Sequence, residues 1–176
     1  MAGVLCRRGA LQHLWAPWRM SYVTTATGQS QGCIFCDKPA ANDDEANQIL
    51  YRGDAVFIML NAFPYNSGHL LVAPYRHISD PLEMTPQESS ELLYGVRVSM
   101  TALNGALRPE GYNIGANIGK VSGAGYADHL HVHVVPRWAG DTNFMAVAAE
   151  TRVVPESLQD TYRRLKRALE QHGSGQ

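Results

Sequence analysis

Three histidines stand at alternate positions, His129, His131 and His133, inside the run ADHLHVHVVPRWAGDTNF at 127–144. Imidazole is a poor core residue, yet these three interleave with Leu130, Val132 and Val134. In a strand, successive side chains point to opposite faces, so the histidines share one face and the apolar residues the other. At about 3.3 Å per residue, neighbouring histidines have α-carbons about 6.6 Å apart and the outer two about 13 Å apart. A zinc–nitrogen bond is about 2.0–2.1 Å, too short for one ion to take both outer rings. The pattern therefore points to a row in which each imidazole holds a different partner.

A second constellation lies upstream. Cys33 and Cys36 form Cys-Ile-Phe-Cys, which by itself reads as a redox pair, half of a zinc site or a coincidence. No β-α-β pattern surrounds it, which weakens a thioredoxin-type role. No second cysteine pair exists, so a zinc ion would have to recruit histidines, and His77 and His129 are the candidates. Between this motif and the histidine row lies NIGKVSGAGYAD at 117–128, a glycine-rich loop whose backbone N–H groups can cradle an anion.

The elements that must carry these residues are legible at coarse grain. Two apolar runs split by Arg-Gly-Asp predict a hairpin with strands at 48–52 and 55–60. Turn residues at 64–68 lead to a short buried strand at 69–73. Thr85, Pro86 and Glu88 mark a helix start, and Leu92, Leu93, Val96, Met100 and Leu103 recur on one helical face until Pro109 and Gly111 end it. Alternation predicts strands over 111–119 and over 129–137, and an amphipathic helix over 155–171. The sum is α+β, with a mainly antiparallel sheet of about five strands, one long helix and a C-terminal helix.

The bulk properties set limits. The chain has 176 residues, consistent with one domain, and a formal net charge of −1, which provides no global field for nucleic acid. No run of 18 apolar residues predicts a membrane span. The N-terminal apolar stretches are interrupted by Arg7, Arg8, Gln12 and His13, unlike a secretory signal. Three unevenly spaced cysteines argue against a disulfide framework and predict a cytoplasmic protein. The expected organisation is an N-terminal arm at 1–32, a catalytic domain at 33–154, and a C-terminal helix and tail at 155–176.

His-Leu-His-Val-His-Val-Val resembles the signature of the histidine-triad (HIT) family, and LNAFPYNSGHLLVAPYRHI at 60–78 resembles the segment that precedes it. The likeness extends over roughly 33–145. PRWAGDTNF at 136–144 and LWAPWRMSYV at 14–23 are similar to the branch of diadenosine tetraphosphate phosphorylases, or ATP adenylyltransferases. The resemblance implies a HIT-like fold and a two-step nucleotidyl transfer. His131 would attack an α-phosphorus and carry the nucleotide, with His133 hydrogen-bonding the phosphate or departing oxygen and His69 orienting the phosphate. Asn61 would meet the ribose, and Asn117, Gly123 and Gly125 the phosphate.

By the same likeness, His129 becomes a metal ligand beside Cys33, Cys36 and His77, and the metal is a structural zinc; no organic cofactor is implied. Phe57, Leu60 and Phe63 are the expected base slot. Arg137 is a candidate for holding anionic phosphate, with Asp141 and Asn143 ordering its loop. The implied substrates are a diadenosine polyphosphate or ATP, ADP and AMP, with inorganic phosphate as acceptor, giving ADP and ATP. The alternatives are a hydrolase of dinucleoside polyphosphates or nucleoside phosphoramidates, and a nucleotide-binding module without turnover. Gly125 and Tyr126 stand where hydrolase branches often carry Gln and Ser or Thr, which weakens the transfer of hydrolase details. A homodimer is expected, formed through the apolar face of 86–107, with neither nucleic acid nor membrane as partner.

Overall fold

The computed structural model of the chain describes residues 32–141 and 156–173. The expected arm at 1–32, apart from Gly32, lies outside the described residues, as do the boundary at 154, Asn143 and the end of the tail. Nothing there tests the expected division of the chain.

Five strands form one antiparallel sheet: β1 (Ile49–Arg52), β2 (Val56–Leu60), β3 (Leu70–Pro74), β4 (Gly111–Gly115) and β5 (Val132–Arg137). Their spatial order is β1-β2-β3-β5-β4, so the last strand inserts between the third and fourth. The α+β class and the antiparallel sheet expected from the sequence are those observed. Two short helices, α1 (Ile34–Ala40) and α2 (Asp44–Asn47), precede the sheet. No element was expected there, because a seven-residue helix with Pro39 inside it offers too little periodicity to read.

The long helix α3 (Pro86–Leu107) starts as its sequence dictates. The Glu88 N–H donates to Thr85 Oγ1 at 3.2 Å and the Thr85 N–H donates to Glu88 Oε2 at 2.7 Å, a reciprocal capping box. Arg76 donates to both oxygens of Glu88, which draws this helix start against the end of β3. The C-terminal helix α4 (Leu158–Gly173) packs beside α3 and closes over β1, where the Tyr162 hydroxyl donates to the Ile49 carbonyl at 3.2 Å.

Both faces of β2 and β3 are buried, which explains why they read as continuous apolar runs. Val56, Ile58, Leu60, Leu70, Val72 and Val134 face the helices and pack with Val96, Leu103 and Leu165. Phe57, Met59, Leu71 and Ala73 face the other way and pack with Phe35 of α1. Leu92, Val96, Met100 and Leu103 of the expected apolar face of α3 are therefore spent on the core, whereas Leu93, expected on the same face, is not. Leu93 and Tyr94 remain exposed on that helix. Gly95 permits the close approach: a Cβ there would lie 2.6 Å from Val72 Cγ1.

Two strands are shorter than their alternation predicts. β5 begins at Val132, where its pairing with Val72 begins, so His129 and His131 precede the strand. β4 stops at Gly115, its last partner opposite His133. Beyond it the chain turns through Gly119 and Gly123, at φ of 76° and 85°, a left-handed region that favours glycine.

Candidate functional site

The register decides which way the third histidine points. His133 pairs with Leu71, and Leu71 faces the α1 side of the sheet with Met59. His131, two residues earlier, turns to the same side, and its ring centroid lies 5.0 Å from that of His133. These residues line a cavity of about 160 Å³ between α1, the sheet and the glycine-rich loop. Its polar lining includes His131, His133, Asn61, Asn117, Lys38, Tyr65 and the backbone at Gly125. Its apolar lining includes Ile34, Phe35, Met59, Phe63, Leu71 and Tyr126.

Three hydrogen bonds fix the histidine tautomers. His131 Nδ1 lies 2.8 Å from the carbonyl of His129, an acceptor, so Nδ1 carries the proton and Nε2 keeps its lone pair. Burial lowers the pKa of His131, and Phe35 stacks on it at 4.6 Å and 22°. The result is a neutral imidazole with one basic nitrogen, the state a nucleophile needs.

The second pair is fixed from the backbone. The Tyr65 N–H donates to His69 Nδ1 at 3.1 Å, which places the His69 proton on Nε2. That nitrogen is 2.9 Å from His133 Nδ1, so His69 donates and His133 accepts. The proton of a neutral His133 is then on Nε2. Burial, with His133 and His131 nearby, pushes His69 down to about 3, which keeps the His69 ring neutral. Asn61 caps the preceding turn by accepting from the Phe63 N–H at 2.9 Å.

The four residues expected to bind metal converge at a separate point. One ligand atom from each of Cys33, Cys36, His77 and His129 lies within 4.8 Å of all the others. The contacts are 3.3 Å for Cys33 Sγ to His129 Nδ1, 3.4 Å for Cys36 Sγ to His77 Nδ1, and 3.6 Å for Cys36 Sγ to His129 Nδ1. The two Nδ1 atoms are 3.3 Å apart. A tetrahedron with bonds of 2.0–2.3 Å has edges of about 3.3–3.8 Å, so these separations suit one tetrahedral ion.

The tautomer agrees with that geometry. His129 Nε2 donates to the Pro74 carbonyl at 2.9 Å, leaving Nδ1 as a lone pair aimed at the cluster. Burial and the adjacent Cys33 push the Cys36 thiol up to about 11, and a divalent cation supplies the charge that ionises such a thiol. Phe35 stands between the two centres, its ring 5.1 Å from His129 and 4.6 Å from His131.

Several expected residues sit elsewhere. Gly123 is not among the residues lining the cavity. Of the expected base slot only Phe63 lines it: Leu60 faces the helical core, and Phe57 stacks on Tyr75 at 5.3 Å. The period of two sends Leu60 to the wrong face and puts Met59 in its place. Arg137 is also outside the cavity. Asp141 accepts from its Nε and Nη2, and Asn113 accepts from its Nη1, so the guanidinium closes a turn at the end of β5. Ile34, Phe35, Lys38, Tyr65 and Tyr126 were not anticipated at the cavity. The Ile-Phe between the two cysteines is the signal that could have found the first two, since a metal at the cysteines must carry their neighbours to the histidine row.

A helix-flanked antiparallel sheet with a tautomer-fixed histidine row at its middle defines the histidine-triad class. A family model, the HIT domain, matches residues 42–140, and the chain belongs to that family. It is 40% identical over 166 residues to AP-4-A phosphorylase of Mycobacterium tuberculosis, covering 90% of this chain and 85% of that protein. It is 30% identical over 95 residues to the asymmetrical bis(5'-nucleosyl)-tetraphosphatase of Schizosaccharomyces pombe, covering 54% of this chain and 52% of that one. Among solved structures, a Zn-bound histidine triad family protein from Mycobacterium smegmatis superposes with a TM-score of 0.68 at 27% identity, over 84% of this chain and 100% of that one.

Proposed function

We propose that the chain is a HIT-family nucleotide-processing enzyme that cleaves diadenosine tetraphosphate by phosphorolysis, giving ADP and ATP. The observation that carries this reading is the buried neutral His131, with its Nδ1 proton engaged and its Nε2 lone pair left for attack. The choice of substrate and of phosphate as acceptor rests on the similarity to the AP-4-A phosphorylase.

In this reaction His131 Nε2 attacks an α-phosphorus. The bond from that phosphorus to the bridging oxygen breaks, ATP departs, and AMP stays on the ring. His133 Nε2–H hydrogen-bonds the departing oxygen. Inorganic phosphate then attacks the same phosphorus, the phosphorus–nitrogen bond breaks, and ADP leaves. Asn117 and the loop backbone at Gly125 hold phosphate oxygens, and Asn61 meets the ribose. Ile34, Phe35, Met59 and Phe63 give the apolar surface a base requires.

Cys33, Cys36, His77 and His129 would hold a zinc ion. With four protein ligands and no open position its contribution is structural: it ties α1, and with it Phe35, to the residues before β5. No chemical step passes through it. The active form is a homodimer, and the exposed Leu93 and Tyr94 of α3 belong to its contact surface.

Incubation with diadenosine tetraphosphate at controlled phosphate tests the reaction. ADP and ATP in equal amounts, formed only with phosphate, is the expected result. AMP with ATP and no need for phosphate overturns phosphorolysis in favour of hydrolysis, the reading that the similarity to the tetraphosphatase favours. A mass in solution equal to one chain overturns the dimer.

A further inference from the structure

Lys38 is the one permanently charged side chain among the described residues that line the cavity. It sits on α1, three residues after Phe35 and four after Ile34, so all three share one face of the helix, and all three reach the cavity. Lys38 is half-buried, and no hydrogen bond or ion pair ties its ammonium to another described residue. A partly desolvated ammonium is costly unless something pairs with it. Among the described residues no carboxylate lines this cavity, and Arg137, the expected phosphate ligand, is already held by Asp141. The anionic or acceptor partner that the described residues do not provide is the kind a nucleotide supplies.

We infer that Lys38 is a substrate-binding residue, its ammonium donating to an acceptor atom of the nucleotide that occupies this cavity. The inference rests on the nucleotide reading of the site and adds to it the cavity's own cation. The acceptor is either a phosphate oxygen or a ring nitrogen at the edge of the adenine. Lys38 is not one of the reacting groups, so it acts on affinity and leaves the chemical step to the histidines.

The test is calorimetric titration of the full chain, with its metal, by AMP and by adenosine. Lys38→Met should weaken AMP by about 10- to 100-fold, the effect of one charge-assisted hydrogen bond. Lys38→Arg should recover most of it. Affinity for AMP should fall with added salt in the wild type and respond less in Lys38→Met. A matching loss with adenosine assigns the contact to the base edge; a loss confined to AMP assigns it to phosphate. A readout that needs no substitution is peptide mapping after amine acylation: saturating AMP should protect Lys38 and leave the other two lysines, Lys120 and Lys166, unprotected. Equal AMP affinity in wild type and Lys38→Met, or modification of Lys38 that AMP does not slow, overturns the assignment. Failure of the wild type to bind AMP at all overturns the nucleotide reading as well, so the two failures are told apart.

Discussion

His69 Nε2 lies 2.9 Å from His133 Nδ1, and the backbone N–H of Tyr65 on the far side of the His69 ring sets the direction of that hydrogen bond. A main-chain donor thus decides where the His133 proton sits, two side chains away. Without a donor at position 69, nothing holds His133 in the tautomer that presents Nε2–H.

His69→Leu should therefore lower kcat by about 100-fold or more, the usual scale of a positioned proton donor. His69→Gln can still donate from its amide and should lose no more than about tenfold. Steady-state rates of the two variants check this, and equal losses in both would remove the tautomer argument.

His131→Ala should abolish the nucleotidyl adduct and reduce turnover by on the order of 10³-fold or more. Rapid quenching and intact-mass measurement should find the adduct in the wild type and none in the variant. An adduct that maps to His133 or His69 contradicts the assignment.

Metal analysis should find one zinc per chain. Cys33→Ser and Cys36→Ser should each lose it and lower Tm by more than about 5 °C, since a structural site couples its binding energy to folding. Retention of full stability in both variants would mean that the cluster is only a set of packed side chains.

Acid should destabilise the fold before any carboxylate titrates. His69 is buried with its pKa pushed to about 3, whereas an unfolded chain takes up that proton near 6.5. Between those values the unfolded state binds more protons, so stability rises with pH across the window and is lost as pH falls through it. His131 shifts in the same direction. Urea midpoints should be flat above about pH 7 and fall steadily below about 6.5; a midpoint that climbs on acidification contradicts a buried neutral His69.

Gly95→Ala sets two effects against each other. Alanine improves helix propensity by about 1 kcal/mol. Its Cβ, however, would lie 2.6 Å from Val72 Cγ1 in the packed interface between α3 and β3. Overpacking of that kind costs about 1–3 kcal/mol, so net destabilisation is expected in urea unfolding. A stabilised variant would show that the helix can lift from the sheet at little cost.

Much of this protein is dictated locally. Thr85 and Glu88 make the helix start their spacing announces, and the short apolar run from Val56 to Leu60 makes a strand. The histidine spacing alone forbids one ion from taking both outer rings, because a fixed rise per residue holds them apart; that His129 is the ring for a metal comes from the family likeness. Cys33, Cys36, His77 and His129 were identified from residue type and family likeness, and they meet within 4.8 Å.

What the sequence leaves open is every choice that depends on contacts between distant segments. The insertion of β5 between β3 and β4 puts His133 beside His69, 64 residues away, and no local pattern encodes that order. Which of Met59 and Leu60 lines the cavity follows from which face α1 covers. Arg137 looks like a phosphate ligand until Asp141 and Asn113 are seen around it. Lys38 looks like an ordinary surface cation until the fold closes a cavity over it. Residue type and periodicity set local geometry through short-range sterics, whereas charge pairing, burial and tautomer are properties of neighbours that only the folded chain brings together.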